Sequence, residues 1–221
     1  MRTYISPIGY DTRRVTKPVV SNGFSDGDRI VLLRPGGESD TERARQTIAD
    51  VEQFLHQLEP NLELEVERMT TEPFGKTVRE CCDVLAAVEP EHETIVSLGG
   101  GARDILLPLT VAALVYGRLV DTVLFYSDLD STVRELSWPN LTATVPNRAT
   151  ETLDAIIQHG DWITLTEIAT QTDQSKSTVI RHVAALESEG LVAADTSDRA
   201  KQVRVTFTGE LLALAQEQKE Q

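Results

Sequence analysis

Residues 1 to about 126 alternate between short apolar runs of strand character and longer segments with helically spaced apolar residues, an order that admits few folds. The strand candidates are Thr3–Ser6, Arg29–Arg34, Glu63–Met69, Thr94–Leu98 and Thr122–Tyr126. Helical patterns lie between them at about Asp11–Ser21, Asp40–Leu58, Phe74–Val88 and Ala102–Tyr116. Repeated βα units predict a mainly parallel, doubly wound sheet, an α/β Rossmann-like domain. Thr132–Leu136 and Leu141–Thr144 are expected to add a strand pair. In such sheets ligands bind beyond the carboxyl ends of the strands. The loops Pro7–Arg14, Pro35–Asp40, Thr70–Pro73 and the one after the fourth strand should therefore share one rim.

That last loop reads Val96-Ser97-Leu98-Gly99-Gly100-Gly101-Ala102-Arg103. Three glycines permit positive φ and a close backbone approach to a bound group. A helix starting near Ala102 aims its unpaired N–H groups and positive dipole end at the same point as the Arg103 guanidinium. The combination suits a phosphate or another anion. A tight strand-to-helix turn that binds nothing is the other reading of the same residues. Two common nucleotide motifs are excluded. A GxGxxG pattern from Gly99 meets Asp104 where it needs glycine, and no GxxxxGK[ST] sequence occurs.

The pattern changes at Val145-Pro146-Asn147-Arg148, which places a domain boundary between residues 1–145 and 146–221. A helix at about Ala149–His159 is followed by Thr164-Leu165-Thr166-Glu167, a capping box that opens a short helix to Thr170. After the turn at Thr172–Gln174, a third helix runs from about Ser175 to Glu189 and stops at Gly190, a natural C-terminal cap. Two β-prone runs follow, Leu191–Ala194 and Gln202–Phe207, joined by a polar tip, and a last helix starts near Gly209. This is the order of a winged helix-turn-helix. In the third helix Val179, His182, Val183 and Leu186 should face the core. The opposite face carries Lys176, Ser177, Ile180, Arg181 and Ala184. Small side chains let a helix enter the major groove of double-stranded DNA while an arginine reaches a guanine edge. Ser175, Lys176, Ser177, Thr178 and Arg181 are thus candidate DNA contacts, with Arg199, Lys201 and Arg204 of the wing as phosphate clamps. A winged helix used only for protein contacts is the alternative.

Charge complicates a DNA partner: 35 acidic residues face 21 basic ones, a net charge of −14, and only five of the basic residues are lysines. Acid-rich, lysine-poor usage resembles cytosolic proteins of halophiles that accumulate salt; a generally acidic protein of a mesophile is the other reading. At molar salt the Debye length is about 3 Å, so local groups matter more than the sum. Cys81 and Cys82 are adjacent in a helical pattern and predict no disulfide, with at least one a small buried apolar residue. The four histidines show no ligand spacing, so neither a metal nor a cofactor is expected. No apolar run reaches the roughly 18 residues of a membrane span, and no signal-peptide core opens the chain, which predicts a cytoplasmic protein.

Essentially the whole chain resembles the archaeal CRISPR-associated Rossmann-fold (CARF) transcriptional regulators with a C-terminal winged helix. The resemblance rests on Gly9-Tyr10-Asp11-Thr12-Arg13 after the first strand and on Gly100-Gly101-Ala102-Arg103 after the fourth. It implies a homodimer that accepts a cyclic oligoadenylate, typically cyclic tetraadenylate, across its two-fold axis and presents paired winged helices to a palindromic promoter. Carried over by position, Gly100, Gly101 and Arg103 meet the phosphates, with Gly99 beside them, while Gly9, Tyr10 and Asp11 shape the other wall. Tyr10 either stacks an adenine or covers the sheet edge, and Arg13 and Arg14 have local carboxylates as alternative partners. Some CARF domains cleave their ring. Arg103 and Ser97 could assist such a reaction, but the four rim loops hold no histidine or lysine to serve as acid or base, so no catalytic residue is expected. A regulator answering another small molecule is the third reading.

Overall fold

The computed structural model describes residues 1–37, 42–196 and 200–217. Contacts divide the chain into two compact units, Met1–Trp138 and Pro139–Gln221.

In the first unit the strands β1 (Arg2–Pro7), β2 (Arg29–Pro35), β3 (Glu63–Met69), β4 (Glu93–Ser97) and β5 (Thr122–Tyr126) alternate with α1 (Arg13–Asn22), α2 (Glu42–Leu58), α3 (Phe74–Ala86) and α4 (Arg103–Val115). The sheet order is β3-β2-β1-β4-β5-β6, parallel throughout except for β6 (Val133–Glu135), which pairs antiparallel with β5. Interior parallel strands are covered on both faces and so read as unbroken apolar runs. Alternate residues point to opposite faces. Tyr4, Ile30, Leu32, Ile95 and Leu124 pack with Val15 and Val19 of α1 and Val51 and Leu55 of α2. Ile5, Val31, Leu33, Val96 and Val123 pack on the other side with Cys81 and Leu85 of α3 and Ile105 and Leu109 of α4. Cys81 is thus the small apolar residue expected; burial pushes its thiol up to about 12.

Of the expected strand pair only β6 forms. Leu141–Thr144 is not a strand, because Asn140 Oδ1 accepts from the Thr142 N–H at 3.0 Å and from its hydroxyl at 2.7 Å and holds the chain in a turn. The contact boundary lies seven residues ahead of the break at Val145. Ala143 already packs in the second core, against Ala149 and its neighbours.

The second unit contains α5 (Thr150–His159), β7 (Ile163–Thr164), α6 (Leu165–Gln171), α7 (Lys176–Ser188), β8 (Val192–Asp195), β9 (Gln202–Val205) and α8 (Phe207–Glu217). The capping box is fully made: Thr164 Oγ1 accepts from the Glu167 N–H at 3.2 Å, and the Glu167 carboxylate accepts from the Thr164 N–H at 2.9 Å. Helix α7 closes with the Leu191 N–H on the Leu186 carbonyl and the Gly190 N–H on that of Glu187, Gly190 standing at φ +71. Strand β9 stops at Val205, and the last helix starts at Phe207 rather than near Gly209. The two-residue strand β7 pairs with β9, giving a three-stranded sheet of order β7-β9-β8.

Candidate ligand cleft and DNA-reading face

A parallel sheet brings the ends of β1, β2 and β4 to one rim, and a cleft of about 480 Å³ opens there. Its wall includes Gly9, Tyr10 and Asp11 from the loop after β1, Arg14 of α1, Arg34 at the end of β2, Arg43 of α2 and Gly101. Three arginines thus face a single carboxylate among the described lining residues, in a chain of net charge −14. Arg13 Nε and Nη2 grip Asp11 at 3.0 and 2.9 Å, and these bonds hold its carboxyl below the usual carboxylate range. Arg14 is engaged as well, donating to the Gly99 carbonyl at 2.9 Å and pairing with Asp128 at 2.8 Å. Arg13 and Arg14 therefore take local carboxylates. Arg34 is only 7% exposed, and the Arg43 guanidinium lies 4.6 Å from the centroid of the Tyr10 ring, which is itself 57% exposed. Glu38, Ser39 and Asp40 of the loop after β2 lie outside the described residues.

The three glycines turn inward. A Cβ on Gly99 would stand 2.7 Å from Tyr126 Cβ, and one on Gly100 would stand 2.3 Å from Arg14 Cδ. Gly101 has φ +94, and its Cβ would come within 2.6 Å of Pro7 Cβ and 2.9 Å of the Pro7 carbonyl carbon. A Cβ on Gly9, on the other side of the same contact, would stand 3.2 Å from Gly101 Cα. The glycines let the β4–α4 turn lie against the β1 loop, so the close backbone approach is to the chain itself. Gly9 and Gly101 line the cleft, whereas Gly99 and Gly100 do not.

Arg103 also lies outside the cleft wall. It is exposed in the first turn of α4, and its guanidinium makes no hydrogen bond or ion pair with the described residues. Every fourth residue from it is an exposed apolar one: Leu107, Val111 and Val115, followed by Leu119 beyond the helix, all between 37 and 57% exposed. Residues at this spacing share a helix face. Ser97 is buried at the end of β4 with its hydroxyl unpartnered, away from the cleft. No group of histidines, cysteines and carboxylates suited to a metal occurs among the described residues.

In the second unit α7 presents the expected face. Val179, His182, Val183 and Leu186 are buried, and Lys176, Ser177, Ile180, Arg181 and Ala184 are exposed. Ser175 caps the helix by accepting from the Thr178 N–H at 3.2 Å, and its hydroxyl lies 2.9 Å from those of Ser177 and Thr178. Three hydroxyls beside Lys176 at a helix N-terminus can receive a phosphate. Of the wing cations, Lys201 pairs with Glu187 at 2.9 Å, and Arg204 stacks over Trp162 at 4.8 Å. Arg199 lies outside the described residues. Sequence reasoning missed Trp162, which positions Arg204, and the cleft cations Arg34 and Arg43. The signal for those two was topological: in a doubly wound sheet the end of each strand and the start of each following helix meet the rim.

His182 is a core residue, its Nδ1 2.9 Å from Thr152 Oγ1. Burial, with the neighbouring Arg181 charge, lowers its pKa below the ordinary value. The unfolded chain then binds the proton more readily, so stability is lost as pH falls through the unfolded value of about 6.5 and levels off below the folded one. Hydrogen-exchange protection of α5–α7, corrected for intrinsic exchange, should drop between pH 7.5 and 5.5. In His182→Gln this dependence should flatten; an unchanged slope would remove the residue as its source.

Residues 2–137 match the family model of the Csa3 CRISPR-associated Rossmann-like domain, and residues 146–196 match the IclR helix-turn-helix domain. Among solved structures the chain is similar to Enterococcus italicus Csm6 bound to cyclic hexa-2′-fluoro-hexa-dAMP, at 14% identity and a TM-score of 0.51. That likeness covers 86% of this chain and 55% of the Csm6 chain, and at such identity it bears on the fold alone. A possible transcriptional regulatory protein (fragment 1–100) from Mycobacterium bovis is similar at 24% identity, over 33% of this chain and 81% of that one, with a TM-score of 0.30. No curated protein sequence matches the chain.

Proposed function

Because the chain belongs to the family of the Csa3 CRISPR-associated Rossmann-like domain and continues into a helix-turn-helix domain, we propose that it is a ligand-responsive transcriptional regulator of CRISPR-associated genes. Its effector is a cyclic oligoadenylate, cyclic tetraadenylate in the first instance, and its target is a palindromic promoter in the cytoplasm of a salt-accumulating cell. No helix among the described residues is long and apolar enough to cross a membrane.

One observation carries the reading: Arg103 and the exposed apolar residues Leu107 and Val111 of α4 form one face beside a cationic rim. A contiguous exposed apolar stripe marks an interaction surface, where scattered single residues do not. A second copy covering this stripe about a two-fold axis along α4 brings both Arg103 side chains to the same rim. Four phosphates then meet cations from two subunits, and a symmetric ring suits an isologous dimer. The winged helices read DNA through Arg181 on base edges, with Ile180 against a thymine methyl. Ser175, Lys176, Ser177 and Thr178 take phosphate, helped by Lys201 and Arg204. Lys201 must leave Glu187 to do so. The pairing of a Csa3-type domain with a helix-turn-helix is that of a regulator rather than an enzyme.

Titration calorimetry of the full chain with cyclic tetraadenylate in high potassium chloride, with the linear tetranucleotide as control, tests the effector. One ring per two chains, with binding weakened at least 30-fold in Arg103→Ala, is the expected result. Binding that ignores Arg103, or none to a folded dimer, would overturn it.

A further inference from the structure

The turn that leads into α7 is fastened from two sides. Its backbone bonds to α6, the Thr172 N–H donating to the Ile168 carbonyl at 3.0 Å and the Gln174 N–H to the Ala169 carbonyl at 3.1 Å, with Asp173 between them at φ +52. The Gln174 side chain bonds to α5: its Nε2 donates to a Glu151 carboxylate oxygen at 2.8 Å, and its Oε1 lies 3.2 Å from Thr152 Oγ1. Thr152 Oγ1 in turn lies 2.9 Å from Nδ1 of His182, in the middle of α7.

Counting donors fixes the direction of every bond. A carboxylate only accepts, so the amide nitrogen of Gln174 faces Glu151 and its carbonyl faces Thr152. A hydroxyl has one proton, and Thr152 spends it on that carbonyl. The ring must then donate the remaining bond, which puts a proton on His182 Nδ1 whether the ring is neutral or charged. The chain of bonds starts in the middle of α7, crosses to α5, and returns to the residue ahead of Ser175, the N-cap of α7.

We propose that Thr152 and Gln174 are positioning residues for DNA reading: they clamp both the start and the middle of α7 to α5 and so set where Ser175, Lys176, Ser177, Thr178 and Arg181 meet the duplex. The inference rests on the DNA reading above and adds to it residues that touch no DNA. Thr152 is wholly buried and cannot reach a duplex. Gln174 is half-buried, and both ends of its amide are spent inside the unit. Val179, Val183 and Leu186 hold α7 on the core, but apolar packing is non-directional and leaves the helix free to slide or turn by small amounts. Hydrogen bonds have narrow distances and angles and remove that freedom. Arg181 is the residue before His182, so the same clamp fixes the base-reading side chain. A small displacement of α7 costs base contacts first, because phosphate contacts carry no sequence information and can be remade one step along the backbone.

The test uses the full chain, labelled with 15N in its histidines, at pH 8, above the ordinary histidine value of about 6.5. Long-range 1H–15N correlation should find His182 protonated at Nδ1 and bare at Nε2, in the wild type and in Thr152→Ser. In Thr152→Val, which keeps the shape and removes the hydroxyl, the proton should move to Nε2. Binding is read by fluorescence anisotropy on an operator duplex selected from random sequence and on an unselected duplex. Thr152→Val and Gln174→Ala should each weaken operator binding by about 10-fold or more, the size of a lost base contact, and the unselected duplex by less than about 3-fold. Thr152→Ser should stay within about 3-fold of the wild type on both. Partial unfolding would weaken both duplexes alike, and Gln174→Ala, whose side chain is outside the core, decides the matter if Thr152→Val does not fold. Equal losses on the two duplexes, wild-type operator affinity in both Thr152→Val and Gln174→Ala, or a wild-type ring bare at Nδ1 overturns the positioning role and leaves the DNA reading standing. A wild-type chain that selects no duplex overturns the DNA reading and this role with it.

Discussion

Gly101→Ala should destabilise the first unit by about 2–6 kcal/mol, from a strained backbone (about 1–3) and an overpacked contact (about 1–3). The residue holds φ +94, and the added methyl would stand 2.6 Å from Pro7 Cβ and 2.9 Å from the Pro7 carbonyl carbon. Backbone carbon cannot turn aside as a long side chain can. A loss of that size is a large share of the 5–15 kcal/mol that holds a typical domain, and should lower the unit's thermal midpoint by roughly 10–20 °C. Gly75→Ala is the matched control. It lies in the first turn of α3 with open space around its Cα, so the change should be neutral or slightly stabilising. Calorimetric melting of the three proteins decides it. A Gly101→Ala protein that melts with the wild type would mean that the turn opens toward a ligand, as the sequence pattern first indicates, instead of packing on the β1 loop.

Val111→Asp should separate the proposed dimer. The residue sits midway along the stripe from Leu107 to Val115, so in a dimer built on α4 a carboxylate there is enclosed by two apolar faces. An uncompensated buried charge costs about 3–5 kcal/mol, a loss of more than 100-fold in self-association. Sedimentation velocity is expected to show a monomer, and the ring should bind at least 100-fold more weakly, because the second chain's whole half of the site is lost. A Val111→Asp protein that sediments as the wild-type dimer would move the interface off α4.

The α/β alternation was legible because interior parallel strands leave an unbroken apolar signature, and the ends of α6 and α7 were legible because capping is local. Thr164 with Glu167, and Gly190 after α7, need nothing from elsewhere in the chain to act. Strand β7 escaped notice because two residues carry no period, and it exists only through its pairing with β9. Leu141–Thr144 has strand-forming side chains, but the Asn140 turn outweighs that preference. The cleft was half legible. Gly9, Tyr10, Asp11 and Gly101 do meet there, whereas Arg34 and Arg43 join them only through the parallel register that sets β2 beside β1. The glycine run shows the limit most clearly. Its composition announces a close approach but does not say whether the approaching group is a ligand or the chain's own Pro7.

Operator binding with and without effector shows whether a ring bound to the first unit controls the DNA affinity of the second, as proposed. A palindromic duplex selected from random sequence is titrated with the full chain in high potassium chloride, alone and with saturating cyclic tetraadenylate. Ordinary allosteric coupling of about 1–3 kcal/mol predicts a 5- to 150-fold change in the operator Kd, absent in Arg103→Ala. The same Kd with the ring bound as without it would mean that the ring does not act on DNA binding.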